Sequence, residues 1–80
     1  MAVDPVDVAD LSPLAWRLLR VAAGYDQRAV ERELPELLQA HVSMLESGGR
    51  ALSPQRRRAL FELYTRDLTT EQIAAIAANF

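Results

Sequence analysis

The residues able to do chemistry are few. The chain of 80 residues has no cysteine and one histidine, His41. That excludes a disulfide frame, a thiolate metal site, a cysteine nucleophile and a multi-histidine metal centre. No phosphate-binding glycine loop and no nucleophile–base pair stands in the sequence, and His41 has no companion acid or nucleophile. Neither enzyme activity, nor a cofactor, nor a small-molecule substrate is therefore expected. What remains is arginine. All 9 basic residues are of this type, and the guanidinium is a rigid fork suited to phosphate and to guanine edges.

The formal net charge is −2, so the chain as a whole lacks the strong basic field of a typical nucleic-acid binder. The charge is unevenly placed. Asp4, Asp7 and Asp10 come before the first structured segment, and without them the balance turns slightly positive. Residues 1–11 read as a mobile acidic arm, which either solubilises the chain or masks its own arginines. Residues 12–80 read as one small domain. A domain of this size buries only about 60% of the surface its unfolded chain exposes, so its helices must be well specified. No apolar run approaches the roughly 20 residues of a membrane span. The aspartates stand where a signal peptide needs basic residues, and the expected location is the cytoplasm, at the nucleoid if DNA is bound.

The elements that must position the arginines and polar residues are helices. Ser12-Pro13 gives a cap and a proline at the first helical position. Leu11 and Trp16 fit a hydrophobic staple. Leu14, Leu18, Val21 and Ala22 repeat on one face, and Gly24 ends this helix. Asp26 caps a second helix, lined by Ala29, Val30 and Leu34. Pro35 ends it and opens a third at about residues 36–47, with Leu38, Val42 and Leu45 inward and Gly48-Gly49 as the stop. Ser53-Pro54 starts a fourth, with Leu60, Leu63 and Tyr64 inside. Thr69 and Gln72 have capping-box spacing for a fifth, carrying Ile73, Ile76, Ala77 and Phe80. No stretch alternates as a strand. The predicted class is all-α, a compact domain of five helices.

Two short helices joined across Leu34-Pro35-Glu36 have the helix-turn-helix arrangement. The residues extend the likeness. Arg17-Leu18-Leu19-Arg20-Val21-Ala22-Ala23-Gly24-Tyr25-Asp26-Gln27 resembles the opening of the Cro/phage-repressor (XRE) family: a basic amphipathic helix ending in glycine, then a glutamine that opens the next helix. Val42-Ser43-Met44-Leu45-Glu46-Ser47-Gly48-Gly49-Arg50-Ala51-Leu52-Ser53-Pro54 resembles its stretch after the reading helix. The resemblance covers roughly residues 14–78. It departs from the family in a helix two–three link one residue longer, with Pro35-Glu36 in place of glycine, and in Met44 where a basic residue is common.

The resemblance implies a lambda-repressor-like fold and a sequence-specific transcriptional regulator of prokaryotic or phage type, with helix three in the major groove of double-stranded DNA. It implies that Gln27 bonds a phosphate or braces the reading helix, and that Arg20 and Glu46 form a buried salt bridge. Gln39, Ala40, His41, Ser43 and Met44 would fall on the exposed face of the reading helix, and Arg50 in a loop on the backbone. Arg28 and Arg56 join the expected DNA contacts. Arg56, Arg57 and Arg58 oppose the dipole of their helix at a cost of about a few tenths of a kcal/mol each. They read either as a solvated face or as one or two phosphate contacts. Gln39 suits an adenine edge. Ile73, Ile76 and Phe80 would close the core or pair two copies. The alternative is a protein-interaction module on the same fold, docking through Leu37, Leu38 and Met44.

Overall fold

In a computed structural model, the described residues are 7–49 and 52–80. Side chains named by the sequence start most of the helices. The Ser12 hydroxyl accepts from the Ala15 N–H at 3.0 Å and opens α1 (Pro13–Ala22). Asp26 accepts from the Ala29 N–H at 2.7 Å and opens α2 (Gln27–Glu33). Ser53 accepts from the Arg56 N–H at 3.3 Å and opens α4 (Pro54–Thr65). Thr69 and Gln72 close a reciprocal box, at 3.1 and 2.8 Å, around the start of α5 (Thr70–Asn79). Each such cap satisfies an N–H that has no partner inside its helix and is worth about 1 kcal/mol. The described residues form five α-helices and one 3-10 turn, with no strand. No helix among them is long and apolar enough to cross a membrane.

The third helix departs from expectation. It runs over Gln39–Ser47 (α3), three residues later than the sequence suggests. Pro35 sits in a turn closed by the Leu37 N–H donating to the Leu34 carbonyl at 2.9 Å. That is the second position of a β-turn, where a fixed proline φ serves as well as at a helix start. Burial decides between the two. The turn drives Leu37 into the core at 0% exposure, while Leu38 stands 52% exposed. Burying a leucine is worth about 1.5–3 kcal/mol, more than one further helical turn on propensity alone. Leu37, not Leu38, therefore joins Val42 and Leu45 inside. Gly48 ends α3 in the left-handed region at φ 78°, where a side chain would be strained.

α1 is the hub, packing against α3, α4 and α5, while α2 packs on α3. Its inner face is Ala15, Trp16 and Leu19, with Ala23 half-buried. The stripe read from the sequence is rotated outward: Leu14 and Val21 are 48% and 56% exposed. Two apolar stripes compete on this helix, and the one carrying the indole goes in. Trp16 meets Tyr64 edge-on at 6.4 Å between centroids, and Tyr25 leans on Tyr64 at 6.2 Å. Leu60, Leu63 and Tyr64 are buried, joined by Phe61. Ile73, Ile76 and Ala77 pack on this cluster.

The described part of the acidic arm also differs from expectation. Val8–Asp10 form the 3-10 turn, capped by the Asp7 carboxylate at 3.0 Å from the Ala9 N–H. This turn lies against α4, and Val8 and Leu11 pack on the core. Two apolar side chains among the aspartates anchor it. Asp4 lies outside the described residues.

Tyr64 is 1% exposed, and its hydroxyl has no hydrogen-bond partner. Burial is the main reason its ionisation is pushed well above the ordinary value. The unfolded chain would ionise it near pH 10, so stability contributed by the neutral form is complete below that and falls as pH rises beyond it. Tyr64→Phe removes an orphaned polar atom and keeps the ring contacts. It is expected to stabilise the fold by about 1 kcal/mol and to flatten the alkaline loss. Urea denaturation at neutral pH and above pH 10 measures both.

Candidate nucleic-acid interface

A polar clamp fixes how α3 lies on the other helices. Arg20, in the last turn of α1, donates from Nε to Glu46 Oε2 at 2.7 Å and from Nη2 to Oε1 at 3.2 Å. Its Nη1 donates to the Tyr25 carbonyl at 2.8 Å. Gln27, the first residue of α2, adds an amide donor to Glu46 Oε1 at 3.3 Å. The two charged side chains are only 11% and 6% exposed. The hydrogen bond to Glu46 holds the Arg20 guanidinium above its ordinary pKa, against the opposing effect of burial. A forked guanidinium–carboxylate pair adds geometric constraint to its energy. Here it ties α1, the α1–α2 turn, α2 and α3 at one point. Of the two roles implied for Gln27, this amide takes the bracing one.

With one side of α3 held, the other faces out. Gln39, Ala40, Ser43, Met44 and Ser47 are exposed, a continuous stripe at helical spacing with no charged residue in it. His41 differs from expectation. It is half-buried, and its Nδ1 accepts from the Leu38 N–H at 3.1 Å. The ring works as a local cap, which leaves Nε2 as its donor in the neutral form.

The start of α3 meets α2 in an open depression of about 440 Å³ lined by Arg28, Glu31, Arg32 and Gln39. Glu31 accepts from the Gln39 N–H at 3.1 Å and so supplies a second cap. Arg28 and Arg32 are exposed and four residues apart, hence on one face of α2. The expected contacts Arg28 and Gln39 are brought together here. Arg32 and Glu31 were not foreseen. The signal for Arg32 was its spacing from Arg28; for Glu31, which bonds a residue eight positions away, no local signal exists.

Other residues do not join this group. Arg56 lines a separate depression with Glu36, Gln55 and Ala59. Arg57 is half-buried, with its Nε unpartnered. Arg50 lies outside the described residues. Leu37 is inside the core and so drops from the apolar docking surface, leaving Leu38 and Met44 exposed. At the end of α5, Phe80 is 54% exposed, whereas Ile73 and Ile76 turn to the core. Among the described residues no group of histidines and carboxylates is arranged to hold a metal ion.

Glu46→Ala strands the Arg20 guanidinium in a nearly closed site. The expected loss is about 3 kcal/mol. The double change Arg20→Met with Glu46→Ala removes both charges and is expected to cost less than Glu46→Ala alone. Denaturation of the single and double variants as a thermodynamic cycle tests this, and additive losses would show that the two side chains do not act as a unit.

Comparison with known proteins bears on the same elements. No curated protein and no solved structure matches the chain. One family model matches residues 5–57, which takes in α1 to α3 with their clamp and the first turn of α4. The chain belongs to that family, described as a domain of unknown function (DUF8599).

Proposed function

We propose that the chain is a sequence-specific DNA-binding domain of the Cro/phage-repressor helix-turn-helix type, acting as a transcriptional regulator in the cytoplasm at the nucleoid. α3 lies in the major groove, and α2 rests on the phosphate backbone. One observation carries this reading. Arg28, Arg32 and Gln39 share a single depression at the leading edge of the uncharged exposed face of α3. Phosphate contacts set register and orientation, and base-edge contacts then carry sequence. Two forked cations beside a polar, carboxylate-poor helix face offer both. The short α2, the turn over residues 34–38 and α3 support it as a helix-turn-helix unit.

The net charge of −2 does not oppose this locally. Glu46 is neutralised by Arg20, and Glu31 shares its depression with two arginines. The exposed Phe80 ring supports a two-fold pairing through the end of α5. Its carbonyl accepts from Ser12 at the start of α1, where Leu14 is also exposed. A pair of this kind reads half-sites about one helical turn apart, roughly 10–10.5 base pairs.

A second reading has its own observation. Leu38 and Met44 are 52% and 37% exposed beside a face that bears no charge, which suits an apolar groove on a protein partner. Ionic strength separates the two. DNA binding falls steeply with salt, with a log–log slope of about −0.9 for each phosphate neutralised. Arg28→Ala and Arg32→Ala are each expected to weaken binding to all duplexes by a similar factor and to reduce that slope by about 0.9. Titrations of duplex DNA at several salt concentrations measure it. Absence of salt-sensitive binding to any duplex would favour the protein-partner reading.

A further inference from the structure

We infer that the duplex bound by this chain is built of A·T pairs beneath α3, and that the helix reads them largely through thymine methyl groups. This rests on the DNA-binding reading and narrows its target. Each base pair shows a distinct major-groove pattern, and each pattern calls for its own side-chain chemistry. A guanine edge presents two acceptors and is met by arginine or lysine; α3, from Gln39 to Ser47, contains neither. A cytosine edge presents an amino donor and is met by a carboxylate. The one carboxylate of α3 is Glu46, and both of its oxygens are taken: Oε2 by Arg20, Oε1 by Arg20 and Gln27. At 6% exposure it is also out of reach.

What α3 does present fits adenine and thymine. Gln39 stands exposed at its first position, with an amide that can both accept from and donate to adenine. Ser43, one turn on, carries a hydroxyl that donates or accepts and so does not discriminate among the bases. Ala40 and Met44 are exposed four residues apart, on one face. Their apolar atoms have one counterpart in the major groove, the thymine methyl. The arginines beside the site are on α2, flanking Glu31. That places the positive charge at the backbone and the methyl-seeking groups at the bases.

The test leaves the protein untouched at first. Duplexes are selected from a random pool, and thymines of the selected site are then replaced singly by uracil, which lacks only the methyl. Selected sites are expected to be A·T-based under the helix, with one or two uracil replacements weakening binding about fourfold each. Met44→Ala, at a partly exposed position, is expected to abolish the thymine–uracil difference at one of these positions while leaving the salt slope unchanged. Selection of sites with a fixed G·C pair under α3, or equal binding of uracil duplexes, overturns the inference and leaves the DNA-binding reading standing. Absence of salt-sensitive binding to any duplex overturns both.

Discussion

The paired charges of Arg20 and Glu46 set the geometry on which everything else depends. Three helices and the turn between two of them converge on that ion pair, and the direction in which α3 faces follows from it. Burying such a pair gains little net stability, because desolvation of both ions offsets their attraction. What it gives is definition. An apolar contact tolerates rotation of a helix about its axis; a forked guanidinium with its third nitrogen on the Tyr25 carbonyl does not. The clamp also settles the electrostatics of the exposed face. It removes from solvent the only acid on α3 and leaves the outward stripe uncharged, with the cations next door on α2.

Much of the fold was legible because helix starts are written in local chemistry. Ser12, Asp26, Ser53 and Thr69 each act on an N–H three residues away, so the signal and its effect share a short window. Pro35 was ambiguous for a related reason: a turn and a helix start ask the same φ of it. The choice was made by Leu37 in the core, a contact that no local pattern announces. The inner face of α1 was misread in the same way. Leu14, Leu18 and Val21 form as good a stripe as Trp16 and Leu19, and only the partners on α3 and α4 select between them.

The candidate site was legible in part. Its exposed polar residues on α3 follow from helical spacing once Val42 and Leu45 are known to face inward. The pairing of Arg20 with Glu46 came from likeness to a family rather than from spacing, since 26 residues separate the two. Glu31 at the start of α3, the imidazole of His41 turned back on Leu38, and the distance of Arg56 from this face belong to tertiary structure. A charge run such as Arg56-Arg57-Arg58 draws the eye in a sequence. In the folded chain the two arginines that line the depression beside α3 are four residues apart on a helix of seven.

The hydrogen bond from Ser12 to the carbonyl of Phe80 spans 68 positions and brings residue 80 back to residue 12. The stretch between them is thus a closed loop in space, with entry and exit side by side. Loosening of the last turn of α5 therefore costs a contact that the start of α1 also uses, so the two helix ends are held as one unit.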